Sequence, residues 1–405
     1  MKKFLAITLA FVIVAMSLVG CSKPAETPEQ TPGNTENEGN TENEGNTGDS
    51  NSSGYEIALI TDKGNIDDKS FNQGSWEGVV AFAKAENVSH QYIKPEEASD
   101  AGYLAAIDLA VTGGAKVVVT PGFLFEVPVY EAQTKYPDVK FILLDGAPHT
   151  ADYSAFDIKD NVASIMYSEE QSGYLAGYAA VMDGMTKLGF VGGMAVPAVQ
   201  AFGYGYLQGA EGAAEELGLD DGGVQVTYHY TGNFDENDTN KATARTMYQE
   251  GTEVIFGCGG SVGKSVMSAA SEADGKVIGV DVDQRYDSEN VITSATKGLS
   301  ASVVSVLESI YKTDTWDTYA GKTTFFNAEN DGVGLPTAVI DDSSADAFDR
   351  FESFNKEKYD EIFAKLKNGD MDIVREIEVE DASGYATAEE LTNSLGLVKV
   401  KVTTR

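Results

Sequence analysis

Residues 61–78, TDKGNIDDKSFNQGSWEG, gather three carboxylates (Asp62, Asp67, Asp68), an amide (Asn72) and an aromatic ring (Phe71). Ionised carboxylates only accept hydrogen bonds, so paired hydroxyls or ring N–H groups of a ligand are their natural partners. A ring in a polar loop suits stacking against a flat solute. The same stretch also reads as a helix N-cap with Phe71 as its first core residue, and spacing alone does not separate the two readings. Further candidates follow apolar runs: Asp145 after FILL, Asp281 after VIGV, and Phe234 in YTGNFDEN. Phe202 adds a third ring near the start of a helical segment. Either aspartate alone serves equally well as a cap at a strand–helix turn, and a single ring is more often core. Rings in both halves of the chain are harder to dismiss, because they can close on the two faces of one flat ligand. Stacking contributes on the order of 1–3 kcal/mol per base, so two faces supply much of micromolar affinity.

Other motifs carry less. GGSVGKS at 259–265 resembles a phosphate loop, but Cys258 stands where its first glycine belongs. A triphosphate cradle is therefore not expected, while the backbone N–H groups near Gly260 suit close approach to a neutral ligand's hydroxyls. DENDTN at 235–240 fails as a calcium loop, with Asn240 in place of the required glycine and Thr246 in place of the closing glutamate. His90, His149 and His229 are isolated, and HExxH does not occur. The reading is of a binding site with no catalytic residue, no metal and no cofactor.

These groups need a scaffold that presents strand ends. Apolar runs at 56–61, 91–93, 116–120, 139–144, 162–166, 187–191, 224–230, 254–256, 277–280 and 291–293 read as buried strands. Between them, 71–86, 99–112, 125–136, 169–182, 201–217, 237–250, 261–273 and 299–313 have helical apolar spacing. Strict alternation of this kind predicts parallel sheets covered on both faces. Ligands of such sheets sit at the carboxyl ends of the strands. The rhythm restarts near Val162, which favours two similar lobes with a cleft between them; one eight-stranded barrel is the alternative. The lobes are expected at 55–160 with part of 297–325, and at 161–296 with part of 326–405.

The amino-terminal region has its own logic. Lys2 and Lys3 precede the apolar stretch 4–19, which is short for a membrane span and reads as a secretory signal over 1–21. Leu18-Val19-Gly20-Cys21 resembles a bacterial lipobox and predicts lipidation of Cys21. Acyl chains add about 0.8 kcal/mol per buried methylene, enough for several chains to hold a protein on a membrane. Residues 22–54 lack aromatic and large aliphatic side chains and repeat NTENEG, so they read as an acidic, disordered tether. The formal charge is −35, and removal of the two lysines with the signal makes it −37. Such a field repels nucleic acid and anionic head groups and favours a ligand without phosphate. Besides Cys21 the only cysteine is Cys258, which excludes a disulfide framework.

The loop at 61–78, together with GFVGGMAVPAV at 189–199, EVIFGCGGSVGKSV at 253–266, VIGVDVDQ at 277–284, ITSATKG at 292–298 and DGVGL at 331–335, resembles the basic membrane protein family. This is the group of lipoproteins that includes the purine nucleoside receptors of ABC transporters. The resemblance runs from about Tyr55 to Leu335. It implies a two-lobed type I periplasmic-binding-protein fold, α/β, each lobe a mainly parallel sheet flanked by helices, with three crossovers. It also implies a monomer facing the extracytoplasmic side, bound to the membrane through its lipid anchor and handing adenosine, guanosine or inosine to a permease. Carried over by position, Phe71 and Phe234 become the stacking rings, with Asn72 the polar neighbour of Phe71. Asp62 takes base N–H groups, Asp281 the ribose hydroxyls, and Gly260 approaches through its backbone. Asp145, Lys297 and Phe202 are further expected contacts. The chain departs from the family at Gly64-Asn65, where two glycines are usual; asparagine tolerates positive φ better than other side chains. Beyond Leu335 only a charged amphipathic helix within 345–368 is expected. A small-molecule sensor and a nucleoside hydrolase-like enzyme using clustered aspartates are the rival readings.

Overall fold

The computed structural model of the protein describes residues 54–340 and 346–405. The expected signal, Cys21 and the tether up to residue 53 lie outside the described residues. The chain opens with β1 (Ile57–Ile60), α1 (Phe71–Glu86), β2 (His90–Ile93), α2 (Asp100–Thr112), β3 (Val117–Pro121), α3 (Glu126–Lys135), β4 (Lys140–Leu144) and β5 (Val162–Tyr167). Next come α4 (Glu169–Met182), β6 (Lys187–Gly192), α5 (Pro197–Glu216), β7 (Val224–Tyr230), α6 (Asp238–Gln249), β8 (Val254–Cys258), α7 (Val262–Ala273), β9 (Lys276–Asp281) and β10 (Val291–Lys297). The last part holds α8 (Leu299–Tyr311), β11 (Lys322–Phe326), β12 (Val333–Gly334), α9 (Lys356–Lys367), α10 (Ala388–Ser394) and β13 (Val400–Thr404).

Two sheets result. The first has the order β11-β5-β4-β3-β1-β2, the second β12-β10-β9-β8-β6-β7-β13. All pairings are parallel except that of β12 with β10. Central strands such as β1 and β8 are buried on both faces, which is why they read as unbroken apolar runs. The chain crosses between sheets three times: after β5, after β10, and between β11 and β12.

The first crossing corrects the expected boundary at 160/161. Val162 pairs with Phe141, so β5 lies beside β4 in the first sheet. The passage to the second lobe follows it, at α4. Periodicity cannot assign a buried strand to one sheet or the other; only pairing does. α8 then returns to the first lobe and packs on α1, where Gly78 lies against the Ser300 backbone.

Helices α4 and α5 lie unusually close. Gly173 and Gly177 face the carbonyls of Phe202 and Tyr206, while Gly205 and Gly209 face those of Glu170 and Tyr174. A Cβ on any of these four would strike backbone, so only glycine permits the approach. The packing fixes the start of α4, with Glu169 and Glu170, against the part of α5 that carries Phe202. The carboxyl-terminal segment is anchored by buried carboxylates. Asp183 accepts from the backbone N–H groups of Glu352, Ser353 and Phe354, and Glu211 from those of Val398, Lys399 and Val400. Of the expected helix within 345–368, only Lys356–Lys367 forms.

Candidate functional site

The carboxyl ends of both sheets face one cavity of about 350 Å³. All nine residues singled out from the sequence line it: Asp62, Phe71, Asn72, Asp145, Phe202, Phe234, Gly260, Asp281 and Lys297. The loop after β1 is braced from inside. Asn72 Nδ2 donates to Asp62 Oδ1 and to Asp68 Oδ2, each at 2.8 Å, and Asn72 Oδ1 accepts from the Asp62 N–H. Both amide hydrogens are therefore engaged, and Asn72 shapes the loop more than it offers hydrogen bonds. Asp62 Oδ1 also accepts from the Gly64 N–H, which leaves Oδ2 for a ligand. Burial pushes the Asp62 carboxyl above its ordinary range. Both oxygens of Asp68 are occupied by N–H groups, so it cannot join a metal-binding trio with Asp62 and Asp67.

In the second lobe two glycines, Gly259 and Gly260, contribute bare backbone to the wall. β8 is followed by Gly259 and Gly260, and Gly260 holds a φ of 52°, a conformation that costs glycine nothing. The half-buried Phe234 ring lies over Gly193 and Gly259, where a side chain would occupy its place. That accounts for the second glycine of GFVGG and the first of the pair in GCGG, whose purpose the sequence did not reveal. Phe71 is likewise half-buried. Phe202 differs: it is fully buried against Phe256, edge to face at 5.9 Å, and forms a wall.

Lys297, at the end of β10, is the electrostatic centre. Its ammonium is paired with Asp145, lies 3.1 Å from Glu169 Oε1 and 3.9 Å from Asp281 Oδ1, and is 2 % exposed. It also sits over the rings of Phe71, Tyr167 and Phe202 at 4.8, 5.3 and 5.4 Å. Burial works against the ammonium, yet the surrounding carboxylates hold its pKa above the ordinary lysine value. Burial also opposes ionisation of Glu169, but Lys297 and Arg375 together keep it below the usual range. Asp145 is left the weaker competitor for the lysine. Burial, partly offset by Lys297 and reinforced by Glu169 and Asp281, pushes it up to about 7. Among the described residues its Oδ1 is buried without a hydrogen-bond partner.

Arg375 was missed by sequence reading. It comes from the irregular segment after α9 and donates Nη1 to Tyr167 O at 2.8 Å and to Glu170 Oε2 at 2.6 Å. The same Nη1 lies 2.6 Å from Glu169 Oε2. The one available signal was a lone cation in the otherwise acidic run MDIVREIEVED. Among the described residues no group of His, Cys, Asp and Glu is placed to hold a metal ion, and no helix is long and apolar enough to cross a membrane. The arrangement can hold a small, uncharged ligand by stacking and by hydrogen bonds into carboxylates.

Comparison with known proteins agrees with this geometry. The sequence profile described as "ABC transporter substrate-binding protein PnrA-like" matches residues 56–383. The chain is 31 % identical over 321 residues to the ABC transporter nucleoside-binding protein BmpA of Lactococcus lactis, covering 72 % of this chain and 85 % of that one. It is 30 % identical over 283 residues to basic membrane protein D of Borreliella burgdorferi, covering 69 % and 78 %. Among solved structures, a solute-binding protein of an ABC transporter system from Aeropyrum pernix superposes with a TM-score of 0.69 at 23 % identity, over 85 % of this chain and all of that one. With the fold, the cavity and these relatives in agreement, the chain belongs to the PnrA-like family of ABC transporter substrate-binding proteins.

Proposed function

We propose that the ligand is a purine nucleoside, captured between the lobes and delivered to the permease of an ABC transporter. The carrying observation is that half-buried rings from separate lobes, Phe71 and Phe234, line one cavity whose polar walls are carboxylates. A cavity of about 350 Å³ lies in the range of sites that enclose a small molecule. The printed function of the Lactococcus relative, nucleoside binding, supports the same reading. Asp62 takes N–H groups of the base, Asp281 takes ribose hydroxyls, and Gly260 meets the ligand through its backbone. Phosphate is disfavoured, because Asp145, Glu169, Glu170 and Asp281 outnumber Lys297 and Arg375 where charge would have to be received. Closure is favoured when only the closed form contacts both faces of the base. Lipidation at Cys21 would keep the protein, a monomer on the extracytoplasmic side, within reach of the permease.

Calorimetry of the purified protein with inosine, guanosine, adenosine and uridine tests this. At least one purine nucleoside is expected to bind with micromolar or tighter affinity, roughly 8 kcal/mol or more. Failure of all three purines, with a different compound found by mass spectrometry on the purified protein, would reject it.

A further inference from the structure

We propose that Ser70 is a positioning residue that couples lobe closure to ligand recognition by holding Asp281 from across the cleft. The inference rests on the reading that Asp281 takes ribose hydroxyls.

Ser70 occupies the N-cap of α1, where a serine ordinarily accepts a hydrogen bond from the first turn. Here it does not. Asp68 takes over that work, its Oδ1 accepting from the Ser70 and Gln73 N–H groups and its Oδ2 from that of Asn72. The buried Ser70 hydroxyl is thereby released from the helix, and it donates to Asp281 Oδ2 at 2.5 Å. Among the described residues Asp281 Oδ1 makes no hydrogen bond, and Lys297 Nζ lies 3.9 Å from it. One oxygen is thus tied to the opposite lobe and the other is available at the cavity wall.

The backbone on both sides is committed to this meeting. Lys69 has a φ of 64° and Asp281 a φ of 67°, both left-handed and both uncommon for residues with side chains. Gln284 Nε2 donates to Lys69 O at 2.7 Å while its Oε1 accepts from the Val280 N–H, steadying the strand end that bears Asp281. Lys264 Nζ donates to Asp67 O at 3.3 Å, and Lys69 pairs with Asp287 at 3.3 Å. Apart from the Gln284–Val280 bond, these contacts join one short loop of the first lobe to the second lobe, so they form only as the lobes approach. Without the serine hydroxyl, the Asp281 carboxylate is free to turn toward Lys297 and is lost to the ligand.

The test compares inosine with 2′,3′-dideoxyinosine, which lacks the hydroxyls in question, by calorimetry. Ser70→Ala is expected to weaken inosine about tenfold and the dideoxy compound by less than about threefold. Lys264→Ala removes a closure contact remote from Asp281 and should weaken both ligands by one common, small factor. The readout is a ratio of affinities within one variant, so a loss of folded fraction does not move it. Equal losses for the two ligands in Ser70→Ala would overturn the inference and leave nucleoside binding standing. A wild-type protein that binds both ligands equally would overturn it as well, since Asp281 would then not read the ribose. Failure of inosine, guanosine and adenosine alike to bind the wild-type protein would remove the functional reading itself.

Discussion

Asp145 and Asp281 hold matching places in the two lobes, yet they are supported differently. Each ends or follows a central parallel strand, each has left-handed backbone (φ 55° and 67°), and each faces Lys297. Among the described residues Asp145 has only the lysine, and its second oxygen is buried without a partner. Asp281 has a serine hydroxyl supplied by the opposite lobe. The same strand-end carboxylate therefore serves two purposes. One pairs with a buried cation and the other accepts a serine hydroxyl, each partner coming from the opposite lobe.

The largest way to break this comparison is to remove the cation that both aspartates face. Lys297→Met leaves Asp145, Glu169 and Asp281 buried with too little positive charge, and removing one partner of a buried pair costs about 3–5 kcal/mol. Denaturant titration should show a loss of that order, and nucleoside binding should fall below detection. Unchanged stability would mean that the carboxylates are neutral or hydrated.

The rings extend the comparison to the walls. Phe71→Ala and Phe234→Ala should each weaken nucleoside binding at least about tenfold in calorimetry, with the melting temperature little changed. A loss for one ring only would show that a single lobe does the stacking. Phe202→Ala should instead lower stability, because that ring is core-packed against Phe256.

A pH effect sharpens the difference between the two aspartates. Asp145 is raised to about 7, so the folded protein binds a proton that the unfolded chain releases near the ordinary carboxyl value of 3.8. Its contribution to stability therefore declines as pH rises from about 4 to 7 and is level above that. Asp145→Asn lacks this titration. The stability of the variant relative to wild type should rise with pH across that window, and a flat difference would place the Asp145 proton elsewhere.

Much of the site was legible because its residues follow strands whose apolar runs are unmistakable. Asp62 and Phe71 after β1, Asp145 after β4 and Asp281 at the end of β9 are placed by local sequence alone. The sheet to which β5 belongs was not legible, since a strand buried on both faces looks the same in either lobe. Asn72 could be assigned a place but not its saturation by Asp62 and Asp68. Arg375 and the Ser70–Asp281 contact depend on residues more than two hundred positions apart in sequence, which no local pattern encodes. The edge strands β11 and β13 were missed because each is paired on one side only and carries polar residues.

The account depends most on a flat base held between rings from opposite lobes. A crystal structure of the protein with inosine tests it directly. The purine plane should lie between Phe71 and Phe234, with ribose hydroxyls on Asp281. A purine bound elsewhere, or with both of its faces away from these rings, would contradict the account.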